Sequence, residues 1–159
     1  MAATNNVTRM LDTRNIPYTT FEIPAEKLSA LEVSDYLHIP PEDVFKTIVL
    51  QREKNGKPIL AVVPATGEVD PKKLAEFLKE KKVSVTTLRE AEALTGLQAG
   101  GISPLALINK GFQVVIDKSA VEQRKILISG GQRGLQIQLT AQDLIRLINA
   151  RTANISSQG

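Results

Sequence analysis

Residues 44–50 read VFKTIVL, and after the polar run QREKNGKP the chain returns as ILAVVP at 59–64. Six of the first seven residues are apolar or β-branched, as a strand covered on both faces requires. Alternation puts Lys46 on the side of Val44, Ile48 and Leu50, with Phe45, Thr47 and Val49 opposite. Lysine is seldom buried without a partner, so a cation in this strand needs a reason. Asn55-Gly56 in the polar run is a hairpin signal, which pairs the two apolar segments antiparallel. A hairpin at the centre argues against a doubly wound sheet and for a mixed, largely antiparallel one.

Outward from this hairpin the chain alternates short strands with short helices. Upstream, NNVTRMLDTRN predicts a helix over 5–15, stopped by Pro17, and YTTFEI predicts a strand. Ser29 and Glu32 stand at capping-box spacing and open a helix that runs to Leu37. Downstream, Asp70-Pro71 is an N-cap followed by proline at the first helical position, which predicts a helix over 71–81. VSVT forms a short segment, and Thr87 and Glu90 repeat the capping box before a Gly96 terminator. LQAGGISPLAL has no clear period. GFQVVID, KILIS and LQIQL read as strands, a helix spans 140–150, and RTANISSQG is a polar tail expected to fray. The sum is an α+β chain with about seven strands and about five helices. The expected form is one curved sheet or partial barrel with helices against it. One domain covers 1–150 and the tail 151–159.

Composition excludes several functions. At 42% hydrophobic and 23% charged, the 159 residues suit one soluble globular domain. With no cysteine and one histidine, His38, there is no thiolate nucleophile and no ordinary zinc site, so no metal or other cofactor is expected. A Ser-His-Asp triad would need His38, which stands at a helix end before Pro40-Pro41. The apolar runs are too short to span a membrane, and MAATNNVTRM lacks a signal-peptide core, so a cytoplasmic protein is expected. The net charge of +3 is too small to imply general nucleic-acid binding. KKLAEFLKEKK at 72–82 concentrates five lysines, which would serve a solvated helix face or a phosphate backbone. Aromatics at 4% argue against base-stacking platforms.

Two glycine pairs remain, Gly100-Gly101 in AGGISP and Gly130-Gly131 in ISGGQRG, with Ser103 and Ser129 beside them. Glycine lets backbone approach a ligand closely and aim N–H groups at one oxygen. No Lys-Ser or Lys-Thr closes GGQRG, so it is not an NTPase phosphate loop, and the dinucleotide fingerprint is absent too. Alone, either pair reads as a tight turn. Together with a lysine on a covered strand they point to a pocket.

In this order and spacing, VFKTIVL, GGISP and ISGGQRGLQIQL resemble the YbaK/ProX-type aminoacyl-tRNA deacylases, relatives of the editing domain of bacterial prolyl-tRNA synthetases. The resemblance runs from about residue 5 to 150, and the GGISP form and last block look most like the YbaK branch. It implies trans-editing removal of cysteine mischarged onto tRNA(Pro), with tRNA(Cys) a second candidate. It also implies that Lys46 is the residue on which activity depends. Backbone N–H groups around Gly101 and Gly130 would hold the ester carbonyl, and Ser129 would bond the substrate amine or ribose. Gly100, Gly131, Ser103 and Phe21 complete the expected lining, and the substrate's own thiol would attack the ester. The family often has a tyrosine where this chain has Thr20 and Phe21. Tyr18 lies two residues away on the same strand face and is either the replacement or a surface strand residue. The implied partner is the 3′ acceptor end of an aminoacyl-tRNA, with prolyl-tRNA synthetase a second candidate. A deacylase for another small amino acid such as alanine, a non-catalytic tRNA- or nucleotide-binding module, and a plain domain in which Lys46 snorkels to water stay open.

Overall fold

In chain order, the computed structural model, which describes residues 4–158, runs α1 (Asn6–Thr13), β1 (Thr19–Glu22), α2 (Ala30–Leu37), a 3₁₀ turn (Pro41–Asp43), β2 (Phe45–Arg52) and β3 (Ile59–Pro64). It continues through β4 (Gly67–Val69), α3 (Pro71–Leu78), β5 (Val83–Val85), α4 (Leu88–Thr95), β6 (Gln113–Asp117) and α5 (Ser119–Glu122). β7 (Lys125–Ser129), β8 (Leu135–Thr140), α6 (Ala141–Leu147), β9 (Arg151–Ala153) and β10 (Ser156–Gln158) complete it. The fold is α+β, with mixed sheets and six helices among the described residues.

The hairpin forms as expected: β2 and β3 pair antiparallel from Phe45 opposite Pro64 to Leu50 opposite Ile59. In place of one curved sheet of about seven strands, ten strands among the described residues lie in three hydrogen-bonded sheets, ordered β5-β2-β3-β6-β9, β1-β8-β7 and β10-β4. Antiparallel pairing dominates, and among the described residues only β3–β6 and β6–β9 run parallel. A single parallel bridge, Val44 to Leu127, links the two larger sheets.

Alternation explains how β3 can be buried along its whole length. Leu60 and Val62 face one cluster with Phe45, Val49, Val114, Ile116, Ile126, Ile128 and Ile137, where the two larger sheets meet. Ile59, Ala61 and Val63 face a second cluster with Leu50, Leu74, Val83 and Ile155, which α3 covers. β2 is buried at Phe45, Val49 and Leu50 but only partly covered at Lys46, Thr47 and Ile48. That gap in the cover is where the site opens.

The helix starts follow the sequence signals. Ser29 and Thr87 accept from the backbone N–H of Glu32 and Glu90, and both glutamates reach back to cap the caps. Asp70 accepts from the N–H groups of Lys72 and Lys73. Two expectations need correction. α3 ends at Leu78 rather than 81, because Lys79 turns left-handed and breaks the ladder. Residues 151–158 are not a fraying tail. β9 pairs with β6 and β10 with β4, Ile155 is fully buried, and the N–H groups of Ile155 and Ser156 both donate to Asp117 Oδ1. Strand pairing through the backbone needs no apolar side chains, so composition concealed it. No helix among the described residues is long and apolar enough to cross a membrane.

Candidate active site

Lys46 escapes burial by leaving the sheet through the gap in the cover of β2. Its side chain is 23% exposed, and Nζ donates to Glu68 Oε1 on β4 at 3.1 Å. The two line a cavity of about 430 Å³ whose walls come from β2, α2, the loop before it, and the segments around residues 99–102 and 129–136. The lining is mostly apolar, with Val33, Val44, Ile48, Ala65 and Ile102, and Leu31 and Leu88 stand exposed at its rim. Apolar walls screen less than bulk water, so on the cavity side the Lys46 charge acts more strongly than on open surface.

Of the residues singled out in the sequence, Lys46, Gly100 and Ser129 share this cavity. Gly101, Ser103, Gly130, Gly131, Tyr18 and Phe21 lie outside its lining. Gly101 N–H donates to the Gln98 carbonyl and Gly130 N–H to the Leu135 carbonyl, both at normal lengths, so neither is spare for an ester oxygen. Ser103 is fully buried, its hydroxyl accepting from Leu105 N–H. Gly131 N–H donates to Ser129 Oγ at 3.2 Å, which fixes that hydroxyl and leaves its proton to donate. Tyr18 turns to α1 instead: its hydroxyl donates to Asp12 Oδ1 at 2.8 Å, and burial followed by that neighbour pushes its pKa above the ordinary value. Phe21 packs in a third apolar cluster with Leu28, Val33 and Leu127.

The glycine pairs serve close packing more than donation. A Cβ on Gly101 would stand 2.9 Å from Gln132 Cα and 3.0 Å from Arg133 N, so the two glycine segments touch backbone to backbone. Arg133 Nε bonds the Ala99 carbonyl at 2.7 Å and Asn5 Nδ2 the Gly130 carbonyl at 2.9 Å, tying both bends down. Gly100 takes φ +91°, where a side chain would be strained. Among the described residues, the N–H groups of Gly100 and Ile102 have no acceptor, and with those of Ala30 and Leu31 in the first turn of α2 they are spare donors beside the cavity.

Sequence reasoning missed Glu68 and Gln136. β8 places Gln136 directly opposite both Phe21 and Ser129, on the face away from Leu135 and Ile137. It is 5% exposed, lines the cavity, and its amide makes no side-chain hydrogen bond among the described residues. The alternation of LQIQL carried that signal. Glu68 had none, because β4 is three residues long. His38 ends α2 as a left-handed C-cap. No group of three or more His, Cys, Asp or Glu among the described residues could hold a metal.

Comparison with known proteins places this geometry in context. Residues 25–147 match the family model of the aminoacyl-tRNA editing domain. The chain is 36% identical over 155 residues to the "Putative Cys-tRNA(Pro)/Cys-tRNA(Cys) deacylase EbsC" of Enterococcus faecalis, covering 96% of this chain and 93% of that one. It is 29% identical over 103 residues to a proline–tRNA ligase of Kosmotoga olearia, spanning 65% of this chain but 17% of the ligase. A crystal structure described as "a putative trans-editing enzyme for prolyl tRNA synthetase" superposes with a TM-score of 0.78 at 21% identity, over 98% of this chain and 99% of that one.

Proposed function

Because the chain belongs to the aminoacyl-tRNA editing domain family, we propose that it is a trans-acting aminoacyl-tRNA deacylase that removes cysteine mischarged onto tRNA(Pro), with tRNA(Cys) as a second substrate. The observation that carries this reading is the single cavity shared by Lys46, Gly100 and Ser129. Lys46 supplies a weakly screened cation for the carbonyl oxygen as it gains charge. The N–H groups of Gly100 and Ile102 take the donor role expected of Gly101 and Gly130. Ser129 bonds the ribose of the terminal adenosine, and Gln136 the amino-acid end.

Cysteine is absent, and the one histidine, His38, caps the end of α2 and makes no side-chain hydrogen bond to a serine among the described residues. The substrate's thiol attacks the carbonyl carbon instead, and the ester C–O bond breaks. The thiol proton passes to the departing ribose oxygen, leaving a thiolactone and free tRNA. Such a step needs proximity and orientation more than a strong base, which a shaped pocket supplies.

The tRNA body finds a basic pole at the far end of β2. The Arg52 guanidinium binds Glu80 at 2.7 Å, the Lys57 carbonyl at 3.0 Å, and the Gln113 side chain, gathering three segments. Around it stand Lys54, Lys57, Lys79, Lys81, Lys82 and Lys110, all exposed and, among the described residues, free of ion pairs. Lys46 and Arg52 are six steps apart along the strand, about 20 Å at the usual rise per residue. That spacing suits an acceptor tip in the cavity and phosphates on the pole. Prolyl-tRNA synthetase is the second partner proposed, supported by the matches within proline–tRNA ligases. The reaction belongs in the cytoplasm with translation, and the editing unit takes in β9 and β10 as well as residues 1–150.

The test is a deacylation panel with cysteine, alanine, serine and proline esterified to tRNA(Pro). Cysteine should be released fastest, and a protein preferring alanine would reassign the substrate.

A further inference from the structure

Glu68 sits at the mouth of the cavity on β4, with its side chain 70% exposed and its carboxylate 3.1 Å from Lys46 Nζ. An ion pair this open to water contributes little to stability, so folding does not explain why the carboxylate stands there. The other carboxylate in the lining, Glu32, is occupied at the start of α2, where Oε1 accepts from Ser29 N–H at 2.9 Å. Glu68 is held by Lys46 alone among the described residues.

An aminoacyl ester carries complementary groups. Its α-ammonium nitrogen and its carbonyl oxygen are three bonds apart, about 3 Å by ordinary bond lengths. A neighbouring anion and cation at 3.1 Å can meet those two groups head to tail. Resting on the deacylase reading, we propose that Glu68 binds the α-ammonium of the substrate while Lys46 turns to its carbonyl oxygen. The resting Lys46–Glu68 contact is then exchanged for two charge-assisted ones, so neither charge is left unpaired when substrate enters. The arrangement selects esters with a free amine. An ester whose amine is acylated, as in a peptidyl-tRNA, has no cation for Glu68 and would leave that carboxylate facing an amide.

The test compares cysteinyl-tRNA(Pro) with its N-acetyl derivative, which keeps the ester and the thiol. The assay runs near pH 6, where an amine of ordinary pKa, about 7.7, is charged. The full chain should prefer the free amine by about tenfold or more in kcat/KM, the range of one charge-assisted hydrogen bond. Glu68→Gln should erase that preference through a higher KM for the free-amine ester, with little change for the acetylated one. Glu68→Asp should restore part of it. If Glu68→Gln slows both esters equally, or neither, the carboxylate only orients Lys46 or does nothing, and the inference falls while the deacylase reading stands. If the unmodified protein cleaves neither ester, the deacylase reading falls and takes the inference with it.

Discussion

Lys46 was the residue most legible in the sequence, because a cation inside an apolar strand conflicts with every neighbour. What the sequence could not supply was its exit. Whether the side chain meets a partner depends on β4, which is distant in sequence and too short to show a period. Replacing Lys46 by alanine should abolish deacylation while shifting thermal stability little. The lost pair is exposed on the Glu68 side, and such pairs contribute at most about 1 kcal/mol. Deacylation assays beside a thermal melt check both halves, and a variant that stays active removes Lys46 from the chemistry. Tyr18 marks the opposite case. Counting along the strand puts it on the face of Thr20, but it stands one residue before β1 and packs against the cluster that holds Val7 and Leu11 of α1, where Asp12 takes its hydroxyl. Strand parity gives the face of a residue; only the packing of sheets says which face holds the cavity.

At the scale of elements, the helix starts were legible from three-residue spacings and the C-terminal strands were not. The capping boxes at Ser29 and Thr87 are local hydrogen-bond patterns, whereas β9 and β10 exist because β6, β4 and Asp117 offer partners. Burial pushes the Asp117 carboxyl up, but the Ser119 hydroxyl and the N–H groups of Ile155, Ser119 and Ser156 more than offset it, leaving its pKa below the ordinary 3.8. The sign follows: the stabilisation is complete above 3.8 and is lost as pH falls through the lower folded value. Asp117→Ala should cost about 2 kcal/mol or more, since it strands buried donors, and should flatten the acid limb of stability. Denaturant unfolding as a function of pH measures this, and proteolysis of the last residues should accelerate. The glycine segments behave as one unit. Gly101→Ala would drive a methyl into the backbone at 132–133, costing about 1–3 kcal/mol and parting the two bends. Activity should fall by more than stability predicts, read as a lower kcat in a variant that still melts cooperatively.

Over the whole molecule, the lysine run at 72–82 told only part of the charge distribution. Folding splits it. Lys73 reaches the Ser156 carbonyl, while Lys79, Lys81 and Lys82 join Lys54, Lys57 and Lys110 from other segments at one pole. A modest net charge of +3 therefore conceals a local excess of positive charge, six lysines and Arg52 with Glu53 and Glu80 among them, which composition cannot show. Reversing Lys54, Lys81 and Lys82 to glutamate should raise KM for mischarged tRNA by roughly tenfold or more at low salt, leave kcat nearly intact, and flatten the dependence of KM on salt. The antiparallel α+β plan was legible from one hairpin. The division into three sheets was not, since it is set by contacts between strands far apart in sequence. The central claim is that the cavity around Lys46 turns over its ligand. Cysteinyl-tRNA(Pro) mixed with a small molar fraction of this protein gives the direct measurement, followed as acid-precipitable label over time. Catalysis empties the whole pool, and Lys46→Ala leaves it charged. Release that stops at one equivalent per protein, or matches the spontaneous rate, would contradict it.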